Sequence, residues 1–412
     1  MSPLRTLPPA GTVIPGRVLF RGLLGGLRPT DSRGQLTQDF QQQYGAREAH
    51  LLNSGRAVLT VLLQAMKEER PDRNEVIVPG YTCYSVAAAA VRVGLNVRPV
   101  DIDVDTFDYD PAALEAMDTS NTLALITANL FGIPNDLPGL ERFCRERGIF
   151  MIDDAAQAMH ARVGDRWVGS FGDAGLFSFD KGKNITTIQG GVLLLQNPDL
   201  TGRVRRLVEE LEEPSPLTSL SLVMKLALYW LLLRPWLYWI PDRLLPLGRT
   251  PWEVEYPVSL YPRVLAPLAQ HLWERVDEVT EARRSTGLRL QAELSVVESP
   301  DGRVTDASPV FLRYPWLPSK ESALPKPSPP ETRRLGASGF YPSCLMDVMP
   351  LSPHLPRDVA DTPAARWVAR NLVTLPTHGW VTPRDMDRLI DLFSGRASTP
   401  DRLPPPSTVS SS

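Results

Sequence analysis

The sequence predicts an α/β fold: a mostly parallel central sheet with helices on both faces, followed by a small C-terminal α+β domain. Between residues 49 and 196, short runs rich in β-forming residues alternate with helical stretches, a pattern typical of parallel sheets covered by helices. After residue 256, an amphipathic stretch leads into mixed strands and helices. The length of 412 residues and the hydrophobic content of 43% suit a large core with a second domain.

The first half of the chain contains two predicted helices and six predicted strands. Apolar residues recur on one stripe over 57–66, which predicts a helix. A second helix is predicted over 137–147, because Gly148 suits the left-handed position that follows a helix. Strands are predicted over 75–78, 97–101, 123–128, 149–153, 175–179 and 191–195.

The second half contains an apolar insert between two helical segments. Arg and Glu recur at helical spacing over 199–213, predicting an exposed helix, and 262–284 is predicted to be one long amphipathic helix. Between them, 220–240 is nearly all apolar and aromatic, but Lys225 and Arg234 interrupt it, which argues against a membrane span. Two interpretations stay open: a helix that lies at a membrane surface, or a helical pair buried against a partner subunit.

The composition also predicts where the domains begin and end. Residues 1–25 lack the continuous apolar core of a secretory signal, so we expect an arm rather than a cleaved leader. Prolines concentrate in this arm, in 324–331 and beyond 396, which predicts loops or disorder there. The predicted divisions are an arm over 1–45, a large domain over 46–260 with the insert at about 217–248, a linking helix and small domain over 261–395, and a disordered tail over 396–412.

Charge and cysteine usage exclude several classes of function. A formal net charge of −3 provides no field that would attract nucleic acid. The three cysteines, Cys83, Cys144 and Cys344, are scattered, so they predict neither a disulfide framework nor a thiolate zinc site. No metal site is predicted, and we expect a cytoplasmic protein.

A carboxylate and an amine follow neighbouring apolar runs. Asp154 comes directly after the predicted strand 149–153, which places it at the carboxyl end of a parallel sheet, where open α/β folds bind ligands. Lys183 follows the next run, which carries Ser178 near its end. Lysine reacts with carbonyls, and pyridoxal phosphate (PLP) is the cofactor that uses this reaction with an acid facing its ring nitrogen. Taken singly, Asp154 also fits a helix cap and Lys183 a solvated lysine, which is the better interpretation for Lys181.

A candidate phosphate site precedes the first helix. Ser54 is a plausible N-cap, and Gly55 allows a bound group to approach the backbone closely. The free N–H groups and the positive end of the helix dipole favour an anion at this position. By itself, a Ser-Gly pair before a helix is more often just a cap.

Several motifs occur together in a fixed order. They are SGRAVL at 54–59, VIVPGYT at 76–82, DID at 101–103, FGIPNDL at 131–137, DDAAQA at 153–158 and VGSFGDAGLFSF at 168–179, with Lys183 four residues later. This series closely resembles the DegT/DnrJ/EryC1/StrS family of sugar aminotransferases, which have the fold-type I PLP-transferase architecture. Weaker similarity continues through 256–284, 313–315 and 375–376, so that the resemblance covers nearly the whole chain except the insert.

The resemblance implies a site and a reaction. Lys183 would be the Schiff-base residue and proton shuttle, Asp154 the partner of the ring nitrogen, and Gln157 the neighbour of the ring hydroxyl. Ser178, Gly55 and Arg56 would hold the phosphate. The family further implies a homodimer and a ping-pong transfer from glutamate or glutamine to a nucleotide- or lipid-linked keto-sugar, in polysaccharide or natural-product biosynthesis.

The chain departs from the family pattern around the cofactor. Arg56 replaces a usual Thr, and its guanidinium could pair bidentately with phosphate. Cys83 stands where an aromatic ring commonly stacks on the cofactor, and Tyr81 and Tyr84 flank it, so which residue covers the ring stays open.

Two further departures lie outside the central motifs. Met159 occupies the place of a common His, so we do not expect an acid–base role for the following His160. The family segment resembling GYNYRMS has become EYPVSL at 255–260, without the expected Asn.

An alternative from a different class is a non-catalytic scaffold that keeps the fold and serves either in binding or in docking at a membrane. It is motivated by Arg56, Cys83, the altered 255–260 segment and the apolar insert. A dehydratase fits less well, because in this family that chemistry goes with a His in place of the Lys, and Lys183 is present.

Overall fold

A computed structural model describes residues 5–27, 31–244, 251–294, 306–318 and 330–394. The strands, in chain order, are β1 (Glu48–Leu52), β2 (Glu75–Pro79), β3 (Asn96–Val100), β4 (Thr122–Ile126), β5 (Phe150–Asp154), β6 (Arg162–Val163), β7 (Arg166–Trp167), β8 (Ala174–Ser178), β9 (Gly191–Leu195), β10 (Ala307–Ser308), β11 (Arg313–Trp316) and β12 (Val373–Pro376). The α-helices are α1 (Gly16–Gly25), α2 (Ser32–Tyr44), α3 (Gly55–Glu69), α4 (Tyr84–Arg92), α5 (Pro111–Glu115), α6 (Leu137–Arg147), α7 (Thr201–Glu209), α8 (Pro216–Leu232), α9 (Trp239–Leu244), α10 (Ala266–Trp273), α11 (Val276–Leu294), α12 (Pro330–Arg334), α13 (Pro363–Asn371) and α14 (Pro383–Ser394).

The central sheet has seven strands in the order β1-β9-β8-β5-β4-β2-β3. Strands β3, β2, β4, β5 and β8 pair in parallel, whereas β9 is antiparallel to both of its neighbours. The predicted mostly parallel sheet is therefore confirmed, and all six predicted strands are present with ends shifted by at most two residues. Two smaller sheets join β10, β6 and β7, and β11 with β12.

Helices cover both faces of this sheet, as predicted. Along β2, Ile77 belongs to one apolar cluster while Val76 and Val78 belong to another, because successive side chains of a strand point to opposite faces. The first cluster includes residues of α1, α2, α6 and α10, and the second includes residues of α3, α4 and α7. A third apolar cluster joins α11, α13 and α14 with β11 and β12.

Helix ends follow their local chemistry. Helix α6 spans the predicted residues, and Gly148 after it has a φ of 59°, the left-handed conformation that glycine adopts without strain. Helix α7 is shorter than the predicted 199–213, and its Val204 and Val208 are buried rather than exposed.

The prediction of one continuous helix over 262–284 is wrong. A short 3-10 turn, Arg263–Leu265, is followed by α10 and then by α11, with the break between Trp273 and Val276. The break lets the two helices pack against different neighbours: α10 contacts α1 and α2, whereas α11 contacts α14 and β11.

The apolar insert forms the helices α8 and α9, and the N-terminal arm lies beside them. The Trp230 Nε1–H donates to the Ile14 carbonyl at 2.7 Å, and the Thr6 N–H donates to the Pro235 carbonyl at 2.8 Å. None of the helices in the described part of the chain is both long enough and apolar enough to cross a membrane. The predicted domain boundaries stay predictions. The predicted tail lies outside the described residues, as does most of the predicted loop at 324–331, whose last two residues begin α12.

Candidate active site

A cavity of about 440 Å³ lies where β5 and β8 end and α3 begins. Seven of the eight residues singled out in the sequence line it: Gly55, Arg56, Cys83, Asp154, Gln157, Ser178 and Lys183. Tyr84 is not among the lining residues, because its ring is buried in the core and its hydroxyl lies 2.5 Å from the Ser343 Oγ. The structure thus brings the set together except for Tyr84, while the role of each residue stays a prediction.

The two adjacent aspartates at the end of β5 have different surroundings. Asp153 is fully buried away from the cavity, where its carboxylate accepts hydrogen bonds from the Gly169 N–H at 2.5 Å and the Asn129 Nδ2 at 2.9 Å. Asp154 lines the cavity, and its Oδ1 accepts from the Ala156 N–H at 2.9 Å. Because successive strand residues face opposite sides, only Asp154 is available to a ligand.

Both carboxyl groups have raised pKa values. Burial raises the pKa of Asp154 to about 7, although the Ala156 hydrogen bond and the charge of Lys183 lower it. Burial also raises the pKa of Asp153 to about 6, opposed by its hydrogen bonds. Lys183 and Asp154 both line the cavity, and the positive charge of Lys183 lowers the pKa of Asp154. An acid so desolvated pairs strongly with a cationic group.

The raised pKa of Asp154 predicts how stability depends on pH. The ordinary pKa of the side chain is 3.8 and the folded value is about 7, so the folded protein binds more protons between these values than the unfolded chain. The free energy of unfolding of the cofactor-free protein should therefore fall as pH rises through this window. Urea unfolding at about pH 5 and about pH 7 should show a smaller fall in Asp154→Asn than in the wild type, and equal falls would contradict the assignment.

Contacts with two distant segments hold the loop that carries Lys183. The Lys183 carbonyl accepts a hydrogen bond from the Thr12 hydroxyl in the N-terminal arm. The Gly182 N–H donates to the Tyr229 hydroxyl of α8 at 3.1 Å, and Gly182 has a φ of 79° that favours glycine. Lys183 is half-buried while Lys181 is exposed. This difference agrees with the interpretation of Lys181 as a solvated lysine.

The start of α3 provides donors for an anion. The Ser54 Oγ caps the helix by accepting from the Ala57 N–H at 3.2 Å. The N–H groups of Gly55 and Arg56 lie in the first turn, where a helix supplies no acceptor. A Cβ built on Gly55 would lie 3.5 Å from the Ser178 Cβ, so the helix start and the end of β8 meet here. These N–H groups, the Ser178 hydroxyl and the helix dipole suit a phosphate.

Arg56 is held at the rim of this anion site. Its Nη1 donates to the Glu253 carboxylate at 3.0 Å, and its guanidinium lies 4.4 Å from the centre of the Tyr256 ring. Glu253 lines the cavity together with Pro251 and Pro257. A second anion near Arg56 would therefore share the guanidinium with Glu253.

The segment 255–260 contacts its own chain. The Asn53 Nδ2 donates to the Pro257 carbonyl at 3.0 Å, and the Asn53 N–H donates to the Ser259 carbonyl at 3.0 Å. This segment thereby closes the side of the cavity next to α3.

Tyr341 is a lining residue that sequence reasoning missed. Its hydroxyl accepts from the Gln157 Nε2 at 3.1 Å, while the Gln157 Oε1 accepts from the Phe131 N–H at 2.9 Å. Burial raises the pKa of the Tyr341 phenol well above its ordinary value, so this hydroxyl stays protonated. No local motif marks Tyr341, since it reaches the cavity from a loop of the C-terminal part, 184 residues from Gln157.

Cys83 and His160 differ in their relation to the cavity. Cys83 lines it, with the Ser85 hydroxyl donating to its Sγ at 3.0 Å. His160 is not a lining residue: its Nδ1 lies 2.9 Å from the Asp277 Oδ1, and its ring packs near those of Trp167 and Trp273. The geometry gives His160 no contact with a ligand in this cavity.

Comparison with known proteins identifies relatives of the first half of the chain. Residues 29–210 match the model of the DegT/DnrJ/EryC1/StrS aminotransferase family. A protein of Streptoalloteichus tenebrarius, named as an L-glutamine:3-amino-2,3-dideoxy-scyllo-inosose aminotransferase, is 36% identical over 178 residues, which are 43% of this chain and 42% of that protein. A UDP-N-acetyl-3-dehydro-alpha-D-glucosamine 3-aminotransferase of Acidithiobacillus ferrooxidans is 36% identical over 155 residues, 37% of this chain and 42% of that protein. The chain thus matches about two fifths of the length of these curated relatives.

The likeness in structure extends over nearly the whole chain. Superposition on the Escherichia coli GDP-4-keto-6-deoxy-D-mannose-3-dehydratase with bound hydrated PLP gives a TM-score of 0.74, with 15% sequence identity and coverage of 95% of this chain and 100% of that one. This agreement confirms the predicted fold-type I architecture. At this level of identity it shows the fold alone.

Proposed function

We propose that this chain is a PLP-dependent aminotransferase of the DegT/DnrJ/EryC1/StrS family, whose model residues 29–210 match. It would move an amino group from glutamate or glutamine to a nucleotide- or lipid-linked keto-sugar in polysaccharide or natural-product biosynthesis. The observation that carries the proposal is the meeting of Lys183, Asp154 and an anion site around one cavity. The names of the two curated relatives, both aminotransferases, support the reaction class.

The residues of the cavity fit PLP. The start of α3 with Gly55 and Ser178 would hold the phosphate, Asp154 the ring nitrogen, and Gln157 the ring hydroxyl. Asp154 is buried, and no ion pair to an arginine is seen for it among the described residues, so its charge could pair with a protonated ring nitrogen. When bound, PLP supplies an aldehyde that carries the amino group and a ring that withdraws electrons from the substrate.

The protein's own residues would then handle the protons. Lys183 would take the proton from the Cα of the amino donor on its Nζ, and in the second half-reaction deliver a proton to the aminated sugar carbon. Asp154 would keep its negative charge and hold the ring nitrogen protonated. The hydrogen bond from the Gln157 Nε2 to the Tyr341 hydroxyl fixes the amide beside the cavity.

The proposed activity is tested by a half-reaction with glutamate. Protein loaded with PLP should release 2-oxoglutarate in an amount equal to the enzyme when glutamate is the only substrate. The non-catalytic scaffold predicts no release, and it is less favoured because Lys183, Asp154, Gln157 and Ser178 remain together in one cavity. The dehydratase is also less favoured, because Lys183 is present although a dehydratase shares the fold.

Replacement of Ser178 by alanine is expected to weaken PLP binding. A hydrogen bond to a charged group contributes about 1.5–3 kcal/mol, so the dissociation constant should rise by roughly 10- to 100-fold. Titration followed by PLP absorbance measures the change, with Ser352→Ala as the matched control at an exposed position outside the cavity. An unchanged dissociation constant in Ser178→Ala would remove this hydroxyl from the phosphate site.

We also infer the assembly and the location. The family resemblance supports a homodimer, and the exposed apolar residues of α8 support peripheral contact of 220–240 with the inner membrane face of a cytoplasmic protein. Light scattering of the purified protein tests the first inference. A mass equal to one chain at all concentrations would refute the homodimer.

A further inference from the structure

Helix α8 is apolar on two opposite faces. Its inner face buries Leu222 and Leu226 and brings Tyr229 against the loop that carries Lys183. Its outer face exposes five apolar residues at helical spacing, each with at least 42% of its surface accessible: Leu217, Leu220, Met224, Leu228 and Leu231. A helix that packs only against the core would carry polar residues on this side.

The outer face of α1 also exposes apolar residues. Val18, Leu19 and Gly22 face α10, where a Cβ built on Gly22 would lie 2.6 Å from the Leu268 Cα. The opposite side exposes Phe20 and Leu24, with Leu27 just beyond the helix end.

These two helices belong to one side of the molecule. The Ile14 carbonyl, two residues before α1, accepts from the Trp230 Nε1–H of α8 at 2.7 Å, and both helices contact the turn Arg263–Leu265. The outer residues of α1 and α8 are called the outer apolar surface from here on.

The two segments that carry this surface contain only basic charges, although Glu274 lies in the same pocket as Arg17 and Arg21. Residues 1–30 and 214–241 contain six basic residues and no acidic one, although the whole chain has a net charge of −3. Arg17, Arg21 and Lys225 are exposed among the apolar residues. The nearest acids in sequence beyond the insert are already paired, Glu213 with Arg33 and Arg263, and Asp242 with Arg333.

The apolar and basic residues together distinguish between two partners for this surface, a second copy of the chain and a membrane. In a symmetric pair of chains, the same surface would meet itself, so the basic residues of each copy would lie opposite a surface whose two segments are also basic. An anionic membrane instead supplies both an apolar interior and negative headgroups, and basic residues beside apolar ones are typical of helices that lie in its interface.

We propose that α1 and α8 together form a docking surface for an anionic membrane. This surface extends the contact proposed above for 220–240 by adding the N-terminal helix and a preference for negative lipids, and it does not depend on aminotransferase activity. Because Tyr229 on the inner face of α8 touches Gly182, about one helix diameter, roughly 10 Å, separates the membrane-facing residues from the Lys183 loop. A docked molecule would hold its cavity close to the bilayer.

Flotation with vesicles tests the apolar part of the surface. Wild-type holoenzyme should float with phosphatidylcholine vesicles that contain phosphatidylglycerol, and the double variant Met224→Glu/Leu228→Glu should lose about tenfold or more in partition coefficient. The matched control Leu288→Glu/Met349→Glu adds the same charge at exposed apolar positions elsewhere. It should remain within about twofold of the wild type after correction for net charge.

The basic residues are tested separately. Arg17→Gln/Arg21→Gln should reduce the advantage of the anionic vesicles by roughly fivefold per residue, and leave partition to pure phosphatidylcholine unchanged. Failure of the wild type to float with anionic vesicles would overturn the proposal. Equal losses of vesicle partitioning in Met224→Glu/Leu228→Glu and in Leu288→Glu/Met349→Glu would also overturn the proposal.

A second copy as the occupant would give another pattern. In that case, gel filtration would show that Met224→Glu/Leu228→Glu splits a dimer and that Leu288→Glu/Met349→Glu leaves the dimer intact. This result would also overturn the proposed membrane docking. Every variant should bind PLP as the wild type does, since none of these residues lines the cavity. Absence of PLP binding in the wild type would refute the proposed function and leave the docking surface untouched.

Discussion

Replacement of Lys183 by alanine is expected to slow the half-reaction with glutamate by about 10³-fold or more. The reason is that Lys183 is the sole lysine among the described residues that line the cavity, so no other primary amine can take the Cα proton. The loop around it is held by Thr12 and Tyr229 through contacts with the backbone of residues 182 and 183. Loss of the side chain should therefore leave the fold intact.

Release of 2-oxoglutarate in single-turnover experiments measures the effect. Lys181→Ala is the matched control, because Lys181 lies two residues away and is exposed. It should keep the wild-type rate to within about twofold, as surface substitutions away from a site usually do little. A Lys183→Ala protein that works at the wild-type rate would contradict the assigned role.

The second large effect is expected for Asp154→Asn, which should slow the same half-reaction by roughly 10²- to 10³-fold. Asparagine keeps the size of the side chain but removes the negative charge that would hold the ring nitrogen protonated. The buried position makes this charge effective, since water screens it little. The variant should fold and bind the phosphate of PLP through the unchanged start of α3.

The neighbouring Asp153→Asn should give the opposite pattern. The carboxylate of Asp153 now accepts hydrogen bonds from the Gly169 N–H and the Asn129 Nδ2. The amide nitrogen of an asparagine at this position is itself a donor, so it would face one of these donors without an acceptor between them. The free energy of unfolding should fall by about 1–3 kcal/mol, while the rate per folded molecule changes less than in Asp154→Asn. Urea unfolding and single-turnover kinetics of both variants decide this, and a larger kinetic loss in Asp153→Asn would reverse the assignment.

The sequence predicts the sheet and most of the site because both depend on local pattern. Continuous apolar runs identify the buried strands, and Gly148 marks the end of α6. Asp154 and Ser178 are the last residues of neighbouring parallel strands, so their meeting at one edge of the sheet follows from the strands themselves.

The sequence does not predict the elements and lining residues that depend on long-range packing. Strand β1 escapes prediction because it carries the polar residues Glu48 and His50, and it exists through pairing with the distant strand β9. Tyr341 and Glu253 reach the cavity from parts of the chain with no motif. The break between α10 and α11 likewise reflects their different packing partners rather than a local signal.

The central assignment, that Lys183 is the residue that would carry the cofactor, is tested by a direct chemical measurement. The protein is incubated with PLP, reduced with borohydride to fix the cofactor covalently, digested and mapped by mass spectrometry. We expect the phosphopyridoxyl label on the peptide that contains Lys183, and specifically on that residue rather than on Lys181. A label located on another lysine, or no label at all, would contradict the proposed active site.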